Sequence, residues 1–408
     1  MKIAVLFNGW INVPHSYAIV NCMQLIHMHK NFSDKIDIYT QELGYFRDEW
    51  NAHKQLVYGD EYNGILRSLK KWNGEHIDLI YSITFPYDVS PSVTIPKCVF
   101  YTSEMLILDT LYFTPSFNNI EDINTHLLQN KNVYFTTPSL WSSRGMTLNY
   151  DIGEKRNRII PHGSDSTIFK QLPKETRDNL RASIGLTADN IVLGLFGAMT
   201  QNKGIHTLLI AFSNIILVHK KTSYRLILKG NDNLYDSKKK VESVLNELKL
   251  SEEITKYIIF TGETIDFNVM NEMYNIVDLY VSPYMAEGFN LSPLEALTTG
   301  ARVLVPRTGS TVEYISDIQN NGGADFITYV DSIIHENNIG QSFNIINDTD
   351  LMTAILNVDF SRDLDPSNMI RFINKEYSWL KASELLYEYF LYIIANQNKT
   401  DFFTPLKI

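Results

Sequence analysis

Asp278-Leu-Tyr-Val-Ser-Pro-Tyr-Met-Ala-Glu-Gly-Phe-Asn-Leu-Ser-Pro-Leu-Glu-Ala-Leu-Thr-Thr-Gly300 is the stretch on which the reading of this chain turns. Its apolar run predicts a buried strand over 279–281 that stops at Ser282-Pro283, then a loop carrying Glu287 and Gly288. Ser292-Pro293 has the form of a helix start, with Ser as N-cap and Pro as first helical residue. The amides of Phe289, Asn290, Leu291 and Ser292 then fall at or near a helix N-terminus, where free N–H groups and the helix dipole bind phosphate without a basic side chain. Glu287 and Glu295 would border that pocket and accept hydrogen bonds from sugar hydroxyls. Glu295 also reads as an acidic first-turn residue that complements the dipole.

Outward from this segment, short β-rich runs alternate with helix-period segments, the pattern of parallel sheets built from βαβ units. In the first half, strands are predicted at 3–7, 36–39, 77–83, 99–101, 133–135 and 158–160, with a helix over 17–29. The same grammar restarts at 191–196 and continues through strands at 225–228, 257–260, 279–281 and 303–305, separated by helices at 205–217, 238–248, 269–276 and 293–299. Between the halves, 161–185 has Pro161, Gly163 and Pro173, many polar residues and little periodicity, and the domain junction is placed there. Helices are expected at 348–358, 365–376 and 378–395, the last strongly apolar. The fold class is thus α/β, two Rossmann-like domains whose sheets face each other across a cleft at the strands' carboxyl ends.

The 408 residues are enough for two or three domains. With 36 Lys+Arg against 46 Asp+Glu, the net charge of −10 argues against nucleic acid as partner, and any anionic ligand must be held by local groups. The basic run Lys238–Lys240 reads as a solvated helix face. Cys22 and Cys98, each inside an apolar run, offer neither a disulfide framework nor a metal cluster, which suits a reducing compartment. The N-terminal apolar run is too short for a signal peptide and no window spans a membrane. The expected setting is cytoplasmic, with peripheral membrane contact left open. No Gly-x-Ser-x-Gly elbow, P-loop or Gly-x-Gly-x-x-Gly follows a strand, so hydrolase, kinase and dinucleotide readings lose support.

The string Ser282-Pro-Tyr-x-x-Glu-Gly-Phe289, with Glu287-x7-Glu295 and Glu295-Ala-Leu-x-x-Gly300, resembles the nucleotide-sugar signature of the GT-B glycosyltransferases, specifically the retaining family 4 with its "glycosyl transferases group 1" domain. Further segments are similar to that family: Thr137–Arg144, Ile159–Asp165 with Phe169, Gly197–Gly204 with Leu208–Phe212, and Tyr377-Ser-Trp379. The likeness runs from about residue 95 to the end. It implies a domain of residues 1–164 on the acceptor side, a nucleotide-sugar domain of 165–377, and a segment 378–408 that crosses back to the first. By the same resemblance Glu295 would bind ribose hydroxyls, Glu287 the donor sugar, and the amides from Gly288 to Leu291 the diphosphate, with Lys203 adding positive charge. No metal and no bound cofactor is implied, the nucleotide sugar (UDP- or GDP-linked) being a co-substrate. The acceptor would be a hydroxyl of a glycan, a lipid-linked glycan or a protein.

Three departures qualify the resemblance. The family commonly has an Arg a few residues before that Lys, where this chain has Ala198-Met-Thr-Gln-Asn202, so Lys229 is the candidate substitute. The loop Asn8–Asn12, with Gly9, lacks the paired glycines of many members. Many members have a His after the strand at 99–101, whereas this chain has Tyr101-Thr-Ser-Glu104, placing Glu104 at the cleft. His162 reads as a hinge residue. Alternative readings are a GT-B phosphorylase or epimerase, or a catalytically silent sugar-binding protein.

Overall fold

The computed structural model describes residues 2–396 other than 46, 91–93 and 251; the expected segment 378–408 therefore lies partly outside the described residues. The first sheet contains β1 (Ile3–Gly9), β2 (Ile36–Glu42), β3 (Lys70–Lys71), β4 (Leu79–Ile83), β5 (Lys97–Phe100), β6 (Val133–Thr137) and β7 (Asn157–Ile159). It is parallel, in the order β3-β2-β1-β4-β5-β6-β7. Helices α1 (Ser16–Phe32), α2 (Asp60–Ser68), α3 (Ile120–Gln129) and α4 (Leu140–Thr147) belong to this half, and α5 (Lys174–Ser183) follows. The second sheet, also parallel, contains β8 (Ile191–Phe196), β9 (Tyr224–Lys229), β10 (Ile258–Thr261), β11 (Leu279–Val281), β12 (Arg302–Pro306) and β13 (Ile327–Val330) in the order β10-β9-β8-β11-β12-β13. Around it run α6 (Ile205–Ser213), α7 (Asp232–Tyr235), α8 (Ser237–Glu247), α9 (Phe267–Ile276), α10 (Leu291–Thr298) and α11 (Val312–Ile318). A hairpin, β14 (Ile333–Glu336) and β15 (Ser342–Ile345), precedes α12 (Asp348–Leu356), α13 (Ser367–Glu376) and α14 (Trp379–Asn396).

Both sheets therefore carry the doubly wound order, in which the winding reverses beside the first strand and a crevice opens there. The halves share a device that fixes this register. Asp78, just ahead of β4, accepts the Ala4 amide at 2.8 Å, and Asp278, just ahead of β11, accepts the Val192 amide at 2.8 Å. Each carboxylate thus ties the fourth strand of its sheet to the first. Burial on both faces explains why the strands read as continuous apolar runs rather than alternating ones. Val192, Phe196 and Ile227 pack on one side of the second sheet, and Leu193, Leu195, Leu226 and Leu228 on the other.

The segment placed as the junction holds a helix that the sequence reading did not expect. Within 161–185 lies α5, which has no fully buried residue and sets only the partly buried Leu180 against the core. Arg181 anchors it by donating to Asp278 at 2.9 and 3.2 Å. The chain crosses between the halves where Ser164 N–H donates to Tyr377 C=O at 2.8 Å, beside a bridge between Ser164 and Ser378. A Cβ on Gly163 would lie 2.1 Å from the Ser378 carbonyl carbon, so only glycine allows the two crossings to touch. Beyond them α14 returns to the first sheet: Phe390 is fully buried, its ring 5.2 Å from Tyr81 and 6.1 Å from Phe7. Phe390→Ala should destabilise the chain by about 3–5 kcal/mol through the cavity it leaves. Urea denaturation checks this, and a loss below about 1 kcal/mol would show that α14 does not carry the core.

Candidate functional site

The crevice of the second sheet opens between the ends of β8 and β11, and the motif residues converge there. After β8 the chain turns through Gly197 and a short 3-10 turn, Gln201–Lys203, into α6. Gly204 makes that turn in the left-handed region, at φ +74°, with its α-carbon so near the loop after β11 that a Cβ would lie 1.9 Å from the Pro283 carbonyl oxygen. Asn202 ties the two loops together: its carbonyl accepts the Met285 amide at 2.7 Å and its side-chain amide donates to the Ala286 carbonyl at 3.2 Å. This leaves Lys203 ion-paired through Nζ with Glu287, whose side chain is largely buried. Burial acts to lower the Lys203 pKa, but the Glu287 carboxylate and the charge of Glu104 outweigh it and hold the ammonium above its ordinary value.

The helix after Glu287 starts differently from the sequence expectation. Asn290, not Ser292, holds the N-cap position, in the left-handed conformation at φ 69°, and α10 begins at Leu291, with Pro293 in its first turn rather than at the first position. The Asn290 side chain does not cap; it donates to Ser282 Oγ at 2.9 Å, fastening the loop to the strand it left. The amides of Gly288, Phe289, Asn290 and Leu291 donate to no acceptor among the described residues. Glu295 lies on α10 and accepts the Tyr274 hydroxyl at 2.7 Å. Burial pushes its carboxyl up to about 7, only partly offset by that hydrogen bond.

Lys229 ends β9, opposite Phe196 on β8, and its carbonyl accepts the Gly197 amide at 2.9 Å. It is 8% exposed, and no carboxylate or hydrogen-bond acceptor among the described residues meets its ammonium. Burial lowers its pKa to about 8. Within Ala198–Asn202, the stretch where the resemblance suggests an Arg, Met199 is buried, in the left-handed region at φ 50°, among the apolar residues under the second sheet.

The first domain closes the site from the other side. Gly288 fits against Thr102, where a Cβ would approach to 2.8 Å, and its carbonyl accepts the Ser139 and Ser142 hydroxyls at 2.6 and 3.1 Å. Phe289 stacks on Tyr314 at 4.8 Å and meets His162 at 5.1 Å. His162 is buried among the Phe100, Phe289 and Trp379 rings, and that burial lowers its pKa to about 3, so it is a packing residue at the crossing. Glu313 on α11 accepts the Leu140 and Trp141 amides at 2.9 and 3.0 Å, a contact that nothing in the sequence announced. Glu104 has solvent access but stands between the cleft walls. Burial and the Glu287 charge raise its carboxyl to about 7, against the opposing pull of Lys203. Gly9 is accounted for by packing: a Cβ there would sit 2.8 Å from the Ile83 carbonyl oxygen and 3.1 Å from the Asn21 side chain. Of Lys238–Lys240, Lys239 pairs with Asp236 on the surface and Lys240 lies over the Tyr235 ring.

Two parallel-sheet domains with motif loops meeting at their carboxyl ends define a GT-B fold. Residues 190–332 match the family model described as glycosyl transferases group 1, which upholds the resemblance read from the sequence over the second domain. Among curated relatives, a lipopolysaccharide 1,2-N-acetylglucosaminetransferase of Salmonella typhimurium is 29% identical over 161 residues, 39% of this chain and 40% of that protein. The lipopolysaccharide core biosynthesis mannosyltransferase LpsB of Rhizobium meliloti is 29% identical over 160 residues, 39% of this chain and 43% of that protein. The match thus spans less than half the length of either relative. HepE of Anabaena, solved in complex with UDP and glucose, superposes with a TM-score of 0.61 at 15% identity, covering 95% of this chain and 99% of that one. A glycosyltransferase from Rickettsia africae superposes with a TM-score of 0.65 at 13% identity, covering 97% and 99%. No helix among the described residues is long and apolar enough to cross a membrane.

The Glu295 carboxyl, ordinarily at 4.5 and raised to about 7 by burial, holds its proton more tightly when folded. Its contribution to stability is therefore complete below pH 4.5 and declines as pH rises towards 7. Glu295→Gln, which cannot ionise, should raise the melting temperature at pH 8 and leave it near wild type at pH 5. Equal shifts at both pH values would show an ordinary carboxylate there.

Proposed function

We propose that this protein is a retaining glycosyltransferase, moving a hexose from a nucleoside-diphosphate sugar to a hydroxyl acceptor in glycan or polysaccharide synthesis. The observation that carries the reading is Lys229: a buried lysine whose ammonium meets no acceptor among the described residues, one strand from the sheet's switch point, where an anion would complete it. The unpaired amides from Gly288 to Leu291 add backbone donors at the start of α10. The glycosyltransferase names of the relatives, and the UDP and glucose in the HepE structure, support the same direction.

In this reading the α10 amides, Lys229 and Lys203 take the diphosphate of a UDP- or GDP-linked sugar. They stabilise the negative charge that grows on it as the glycosidic bond breaks, in a cleft where fixed donors count for more than in water. Glu295 accepts the ribose hydroxyls and Glu287 those of the donor sugar. Because Lys203 already engages the Glu287 carboxylate, this group orients the sugar rather than attacking it. The nucleotide sugar is a co-substrate and no bound cofactor is invoked. Retention follows if the acceptor hydroxyl attacks from the face of the departing phosphate, which takes the proton. The acceptor itself arrives from the first domain.

Calorimetry with UDP and GDP tests this. One nucleotide should bind, and Lys229→Met should weaken it by about 1.5–3 kcal/mol, the worth of a charge-assisted contact. The same substitution should raise the melting temperature of the ligand-free protein, since it removes a buried charge without a partner. Glu295→Ala should weaken the nucleotide by a similar amount. A wild-type chain that binds neither nucleotide, or a Lys229→Met chain that binds as well as wild type, would end the assignment.

A further inference from the structure

The first domain holds a cavity of about 220 Å³ whose walls are the rings of His15, Tyr17, Phe85, Tyr87 and Tyr112, with Glu104 among its lining residues. Its size is below the roughly 300–1,000 Å³ of pockets for drug-sized ligands, so it suits one ring rather than a chain. The Tyr17 and Tyr87 hydroxyls are spent on the wall itself: they meet each other at 2.9 Å, Tyr17 meets Thr102 Oγ1 at 3.0 Å, and Tyr87 donates to the Thr102 carbonyl at 2.7 Å. What those two residues offer an occupant is therefore ring surface. Among the described residues no Lys or Arg lines the cavity, and burial with nearby Arg47 holds His15 neutral. Glu104 is felt electrostatically both by Tyr17, Tyr87 and Tyr112 in the wall and by Glu287 and Lys203 across the cleft. It thus joins the cavity to the proposed transfer site.

Resting on the transfer reading above, we infer that this cavity seats an uncharged monosaccharide unit as the acceptor, its apolar ring face on the aromatic wall and one hydroxyl on Glu104, and that a phosphorylated sugar is excluded. Aromatic faces pair with the C–H surface of a pyranose, and a carboxylate accepts its hydroxyl. A phosphate or carboxylate on the acceptor would meet no cation in the wall. It would stand beside Glu104 and Glu287, with Lys203 shared between Glu287 and the donor diphosphate.

Saturation-transfer NMR on the full chain tests this, with methyl α-D-mannopyranoside and methyl β-D-glucopyranoside as neutral probes and mannose 6-phosphate as the charged one. A neutral glycoside should give signal and mannose 6-phosphate should not. Tyr112→Ala should weaken glycoside binding about tenfold, and Glu104→Gln should admit the phosphate. The inference is overturned if neither glycoside binds, if mannose 6-phosphate binds wild type as well as they do, or if Tyr112→Ala changes nothing. Calorimetry with UDP and GDP separates the two failures. Nucleotide binding with no glycoside bound sinks this inference alone, while glycoside binding without nucleotide upholds the cavity and sinks the transfer reading.

Discussion

How closely two loops approach at the mouth of the second sheet decides the rest. Because Gly204 has no side chain, the turn after β8 can lie against Pro283, and Asn202 can then bond to Met285 and Ala286. Only in that register does Lys203 reach Glu287. A larger residue at 204 would need a left-handed conformation and would overlap a carbonyl oxygen at once, so neither difficulty could relax without parting the loops. The ion pair is thus a consequence of backbone packing, and its attraction is not what brings the loops together.

The same loop also meets the first domain, and this ties donor geometry to closure. Gly288 touches Thr102 and its carbonyl is held by two serine hydroxyls, while Glu313 caps the start of α4. Further round the cleft, the Trp50 indole donates to the Leu234 carbonyl at 3.1 Å, and the hairpin strand β15 bonds to both sides: Ser342 N–H to Met105 C=O and Asn344 N–H to Met285 C=O. The loop bearing Glu104 and the loop bearing Glu287 therefore share one intervening strand. Opening the cleft would break these hydrogen bonds together, the neutral ones each worth about 1 kcal/mol net and the two to the Glu313 carboxylate more.

Much of this was legible in the sequence because parallel strands buried on both faces announce themselves as apolar runs between helix-period segments. The turn residues around Glu287 likewise fix where a loop must be. The Glu287-x7-Glu295 spacing put both carboxylates at one helix start; Glu287 does precede the helix, but the helix begins two residues early on a left-handed Asn290 that no cap preference favours over Ser292, which moves Glu295 out of the first turn. What stayed hidden depends on partners remote in sequence. α5 has no fully buried residue, with Leu180 its partly buried apolar contact, and is held by Arg181 on Asp278, so its apolar signal is weak. Glu313 looks like any exposed helix carboxylate until α4 is placed against it. Lys203 could be named, but not its pairing, because a salt bridge across 84 residues leaves no local trace.

The exchange of an Arg for Lys229 has a steric logic. The backbone after β8 turns left-handed at Met199, and its side chain fills the core beneath the sheet, so Met199 itself could not become a cation without emptying that core. In the proposed reading a lysine at the end of the neighbouring strand would serve the same crevice from a regular β conformation, at the cost of burial that lowers its pKa to about 8. Arg keeps its charge in any environment, whereas a lysine this buried gives up part of its charge near neutral pH unless an anion restores it. In the proposed reading the diphosphate would be that anion: its arrival would raise the lysine's proton affinity, and its departure would lower it again. Charge at this position would then follow occupancy, which a guanidinium could not do.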